Sequence, residues 1–243
     1  MRRTAIPELF LGLLSIGAAV FLTALVISHA IEKRTHQRDT ITVTGSARKP
    51  IDANLVVWSL YVTGSAPTAA VAARKLRTAS GSVRKFLLGS GIPAAAIERY
   101  VVQSERIVER LPRRRFRVHY EVSQAYEVRT RQIDVVEGAA IQLGSLIERG
   151  IEVSAEPLRY VSTELTKAKL DALVAATAEA RHRAEVLVQG LGGKLGPMRR
   201  TSQGVFQITP RDSTEVSDYG INDTSSREKD VTAVVDATFA VKR

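Results

Sequence analysis

FRVHYEVSQAYEV, residues Phe116–Val128, places Phe116, Val118, Tyr120, Val122, Tyr126 and Val128 on one face and Arg117, His119, Glu121, Ser123 and Glu127 on the other. A period of two means a β-strand, and the clean split between apolar and charged faces means a sheet with one side on a core and the other in water. That is the habit of antiparallel sheets.

The flanks keep switching between a period of two and a helical period. Upstream, Ile41–Ala47 and Leu55–Thr63 read as strands, the second with Val56, Trp58, Leu60 and Val62 on one face. Between Pro67 and Gly89, Ala72, Leu76, Ala79, Val83 and Phe86 recur at steps of four and three, predicting a helix that GSGIP (Gly89–Pro93) stops. Glu98–Val108 is a third strand. Downstream, Asp134 and Glu137 form a capping-box pattern ahead of a second helix with Val136, Ala140, Leu143 and Ile147 as its stripe, ended by Gly150. Ile151–Val161 returns to strand, where Pro157 implies a bulge or an edge. The longest helix, Thr163–Leu191, carries Leu170, Leu173, Thr177, Ala180, Ala184, Leu187 and Leu191, and its small residues permit close approach to a sheet. Arg199–Ile208 and Val231–Val241 close the chain as strands around a polar stretch, 209–229, that is either mobile or used for contacts. The resulting fold class is α+β: mostly antiparallel sheets with three helices packed on them.

The amino terminus is different in kind. Leu9–Ile31 holds no Asp, Glu, Lys or Arg; as a helix it would be about 35 Å long, enough for a hydrocarbon core of roughly 30 Å. The predicted organisation is therefore a tail and transmembrane signal anchor (1–31), a charged stalk (32–39) and a domain (40–243). Cleavage after Ser28–Ala30, releasing the domain, is the alternative. The short tail before the span suits an N-in anchor that delivers the domain across the membrane. The 243-residue chain carries a net charge of +10, of which Arg2, Arg3 and Glu8 account for +1, so +9 belongs to residues 32–243. An acidic neighbour is implied: anionic lipid, an envelope polymer or, least compatibly with export, nucleic acid.

Few catalytic arrangements survive. The chain has no cysteine, which excludes disulfides, thiolate zinc sites and cysteine nucleophiles. His29, His36, His119 and His182 share no metal-ligand spacing. No G-x-S-x-G elbow is present. The glycines of QGLGGKLG, Gln189–Gly196, follow a helix and precede a strand, the reverse of a phosphate-cradling loop, so they mark a helix end. Glu105, Glu109, Glu121 and Glu127 are interleaved with Arg106, Arg110, Arg117 and Arg129, which predicts cross-strand ion pairs rather than an acid–base couple. The sharpest charge feature is RIVERLPRRRFRV, Arg106–Val118. There Arg110, Arg113, Arg114, Arg115 and Arg117 crowd a hairpin tip set by Pro112, as a candidate contact for anions or a partner, while Phe116 and Tyr120 belong to the core-facing side of their strand.

Four segments in order resemble the SIMPL domain family of bacterial envelopes: ITVTGSARKPIDANLVVWSLYV, LLGSGIPAAAIERYVV, YEVRTRQIDVVEGAAIQLGSLIERG and ATAEARHRAEVLVQGLGGKLG. The likeness covers Thr40–Arg243. It departs from the family pattern where Ile51 precedes Asp52 in place of the usual proline, and in carrying a span where cleaved signal peptides are common. The resemblance implies no enzymatic activity, catalytic residue, cofactor or metal. It implies homo-oligomeric assembly or protein contact, with relatives linked to envelope or oxidative stress. The expected setting is the bacterial inner membrane, single-pass, with the domain periplasmic.

Overall fold

The computed structural model describes residues 23, 39–112 and 115–242. Thr23 apart, the predicted span, the cleavage motif and the stalk up to Arg38 lie outside these residues. Among the described residues, no helix is long and apolar enough to cross a membrane. The order is β1 (Thr40–Asp52), β2 (Leu55–Ala66), α1 (Ala69–Gly89), a 3-10 turn (Ala94–Ala96), β3 (Ile97–Leu111), β4 (Arg115–Thr130), α2 (Ile133–Gln142), α3 (Gly144–Glu148), β5 (Val153–Ala155), β6 (Arg159–Val161), α4 (Leu165–Gly190), β7 (Lys194–Gln203), β8 (Gln207–Pro210), β9 (Ile221–Asn222) and β10 (Glu228–Lys242). One sheet runs β3-β4-β2 with β5 and β6 on the far side of β2; the other runs β1-β10-β8-β9 with β7 also on β10. Only β8 and β9 pair in parallel among the registers given by the described strands. The class is α+β, with α2 and α3 as one helical region broken at Leu143.

The described residues fall into two compact units, one holding 48–172 and 205–232, the other the residues up to Ala47, 173–204 and those from Ala233 on. In the larger, β2 is the central strand. Val56, Trp58, Leu60 and Val62 are fully buried, as the alternation predicts, each large side chain contributing roughly 1.5–3 kcal/mol. α1 lies on this face. It approaches so closely at Gly64 that an added Cβ would come within 2.5 Å of the Ala72 carbonyl oxygen.

Several helix and strand expectations are corrected. α1 buries Ala72, Leu76, Ser80, Val83 and Leu87, leaving the predicted Ala79 and Phe86 half-buried. The stripe takes in a polar residue because the Ser80 hydroxyl reaches the Gln124 side chain at 3.4 Å. The capping box does not form: Gln132 precedes α2 and makes no side-chain cap bond. Asp134 and Glu137 are engaged elsewhere, by Arg227 and Tyr160. With the break at Leu143, the buried set becomes Ile133, Val136, Ala139, Leu143 and Leu146, and Ile147 is exposed. Pro157 splits the expected strand into β5 and β6, which both pair with β2. Likewise 199–208 is split into β7 and β8 around Gly204. The polar stretch 209–229 contributes β9 to the sheet.

In the smaller unit, β10 turns Ala233, Val235, Ala237 and Phe239 inward. Val43, Ala180, Ala184, Ala237 and Phe239 form its core cluster. α4 buries Ala168, Ala172, Ala176, Ala180, Ala184 and Val188, every fourth residue, while Leu170, Leu187 and Leu191 are exposed. The predicted leucine stripe is thus wrong at most of its positions. The cause is distance: at Gly45 an added Cβ would overlap the backbone of Ala176 and Ala180, so at this crossing only alanine methyls fit beneath the helix, while the larger Val188 is buried farther along, near its end.

Candidate functional site

The hairpin β3–β4 carries the predicted basic tip. Pairing runs from Ile97↔Val128 to Leu111↔Arg115, but β2 accompanies β4 only as far as Ala66↔Tyr120. Among the described residues, the distal part is therefore a two-stranded ribbon with no third strand. This corrects the expected core position of Phe116, which is 63% exposed; Tyr120 is half-buried.

Register also separates the arginines. Arg110 stands opposite Phe116 and shares its face, whereas Arg115 and Arg117 stand opposite Leu111 and Glu109 on the other. Arg113 and Arg114 lie outside the described residues. Arg117 Nη1 sits 3.9 Å from Glu109 Oε2, an exposed pair worth about 0–1 kcal/mol. The remaining expected cross-strand ion pairs are absent among the described residues. Instead Glu105 faces Glu121 and Glu98 faces Glu127. The last two carboxylates raise the Tyr100 phenol above its ordinary range, Glu127 more than Glu98. Along the outer edge of the sheet, β3 interrupts its register between Arg99 and Val102, leaving Tyr100 and Val101 in a bulge. Val101 is 79% exposed.

The glycine-rich segment behaves as predicted. α4 ends at Gly190, Gly192 adopts φ 76°, and the amides of Gly192 and Gly193 donate to the Gln189 and Val188 carbonyls, both at 2.9 Å. Those amides are satisfied internally and point at no anion. His119 lies half-buried on β4 and His182 exposed on α4. No group of three or more His, Asp or Glu able to hold a metal lies among the described residues.

Sequence reasoning missed an ionic centre in the polar stretch. Asp223 accepts from the Ser225 amide at 2.9 Å, from the Ser225 hydroxyl at 2.6 Å, from the Ser226 amide and hydroxyl, and from Lys229 Nζ at 2.8 Å. Burial alone would raise its pKa, but the hydrogen bonds from Lys229, Ser225 and Ser226 outweigh burial and hold the carboxyl well below the usual range. Nearby, Tyr160 donates to Glu137 at 2.7 Å; burial first and this carboxylate second push its phenol up to about 12. Arg227 in turn bonds Asp134 at 2.6 Å. The available signal was Asp223-Thr224-Ser225-Ser226, an Asx-turn spacing. With its partners all internal, this centre staples the loop and offers no vacancy to a substrate.

What the described residues define is thus an α+β protein with an exposed edge strand and a projecting basic ribbon, without an assembled catalytic set among them. The SIMPL family model, described as a protein of unknown function (DUF541), matches residues 41–239. The chain belongs to the SIMPL family. No curated protein matches it. Among solved structures, a protein from Burkholderia cenocepacia described by inference as an amidohydrolase/peptidase aligns at 11% identity and a TM-score of 0.21, covering 54% of this chain and 33% of its own. The chain therefore spans about a third of that protein's length, and so distant a likeness carries no argument.

Proposed function

We propose that this SIMPL protein is a non-enzymatic envelope protein that acts by assembling with further copies of itself, held to a bilayer through residues 9–31 with its domain on the periplasmic side. The setting implied by the family resemblance is an envelope or oxidative stress response. One observation carries the assembly reading: β3 is a long edge strand whose outer backbone edge no other described strand covers, and exposed Val101, in its bulge, and Val108 lie along it. An uncovered edge with apolar side chains is a template for pairing with another chain. Sedimentation of the full chain in detergent should find a defined oligomer, and Val101→Lys with Val108→Lys should reduce it to smaller species. A wild-type monomer at every concentration, or an oligomer indifferent to both lysines, would remove the basis for this reading.

A second reading has its own support. Phe116 is exposed beside Arg110 on one face of the ribbon, with Arg115 and Arg117 on the other, so the ribbon offers an aromatic side chain together with cations on both faces. Such a surface suits anionic lipid or an anionic envelope polymer better than nucleic acid, which an exported domain would not meet.

A further inference from the structure

The cleft between α1 and the β3–β4 pair combines features that the assembly reading does not use. α1 carries Arg74, Lys75, Arg77, Arg84 and Lys85 and no Asp or Glu. Arg74 and Arg77 stand three residues apart, a like-charge spacing that destabilises a helix by about 0.2–0.5 kcal/mol. Among the described residues, Arg77, Arg84 and Arg99 have no ion-pair partner. All three line one cleft of ≈ 510 Å³, with Leu76, Val122 and Tyr126 supplying an apolar lining.

Two buried polar side chains also line it. Ser80 and Gln124 are 8% and 9% exposed. The Gln124 amide donates to the Tyr100 carbonyl at 2.8 Å and so pins the β3 bulge beside the cleft. Its side-chain oxygen receives the Ser80 hydroxyl at only 3.4 Å, the weak end of the hydrogen-bond range, which leaves that hydroxyl available to a better acceptor. Finally, Gly81 stands in the interior of α1, where a glycine is roughly 1 kcal/mol less favourable than alanine. An added Cβ there would meet nothing within 4 Å, so no packing explains it, and Gly81 forms part of the cleft wall.

We propose that this cleft binds a phosphoryl group carried on a small apolar body. Guanidinium groups match phosphate oxygens in bidentate geometry, the Ser80 hydroxyl supplies a neutral donor, and the apolar lining accommodates the body. The site is independent of the assembly reading, since β3 offers its outer edge to a neighbour and its inner face to the cleft.

The test is calorimetric titration of the full chain in non-ionic detergent with phenyl phosphate, with benzoate alongside. Saturable one-to-one binding of phenyl phosphate is expected, roughly tenfold or more tighter than benzoate. Gly81→Leu should abolish binding by filling the cleft while leaving Tm unchanged or raised, because leucine is a strong helix former. Should that variant lower Tm instead, Arg84→Gln with Arg99→Gln carries the test and should weaken binding roughly tenfold or more. Arg199→Gln with Arg200→Gln, outside the cleft, should leave it unchanged. Vesicles of phosphatidylglycerol in phosphatidylcholine separate the sources: competition with phenyl phosphate identifies a lipid headgroup as the natural carrier, and its absence a soluble one. No saturable binding, equal affinity for benzoate, binding to vesicles alone, or insensitivity to the cleft substitutions would overturn the proposal.

Discussion

Asp223 shows how one side chain organises a segment that composition marks only as polar. It draws Ser225, Ser226 and Lys229 onto a single carboxylate, and Lys229 is 2% exposed. Removing one partner of such a buried pair strands the other charge, at a cost of about 3–5 kcal/mol. Lys229→Met should therefore lower urea-unfolding stability at neutral pH by that order, and adding Asp223→Asn should recover much of the loss. The pH dependence has a definite sign. The folded pKa of Asp223 lies below the unfolded value of 3.8, so its contribution is complete above pH 3.8 and disappears as the pH falls through the folded value. Asp223→Asn should accordingly flatten stability against pH below about 4; an unchanged acid slope would mean that Asp223 is not held as described. The Asx spacing at 223–226 was readable in the sequence. Lys229 as partner was not, because polarity alone does not say whether charges are solvated or satisfy one another.

Among the elements, α4 best separates what period reveals from what distance decides. Its existence and its glycine stop are plain in the sequence, and so is the value of small residues against a sheet. The buried face is not, because a stripe of leucines outranks a stripe of alanines on hydrophobicity alone, whereas contact at Gly45 admits only methyl groups. β4 teaches the same lesson: its apolar face, interrupted only by Gln124, runs on to Phe116, yet burial fades where β2 stops pairing at Tyr120. Gly45→Ala should overpack the interface and destabilise the protein by about 1–3 kcal/mol. Leu187→Ser, on the exposed face of α4, should stay within about 0.5 kcal/mol. Denaturant midpoints compare the two, and the opposite ranking would mean that α4 is rotated from the orientation described.

For the whole molecule, net charge sets the assembly reading against the anion-binding one. Copies that each carry +10 repel one another, so any association through the apolar edge of β3 proceeds against a long-range cost. Salt shortens the screening length from about 10 Å at 0.1 M to about 3 Å at 1 M, weakening that repulsion while leaving backbone pairing and apolar contact largely intact. Contacts between the arginine ribbon and an anionic surface depend on the same electrostatics with the opposite sign, and lose affinity as salt rises. Sedimentation of the full chain in detergent across this range should thus show larger or more tightly held oligomers at high salt, while vesicle binding through the ribbon should fall. Alanine at Arg110, Arg115 and Arg117 should flatten the salt dependence of vesicle binding and leave the oligomer intact. Oligomers that fall apart as salt is added would show that their cohesion is ionic, and the β3 edge would then have to be abandoned as the joint between copies.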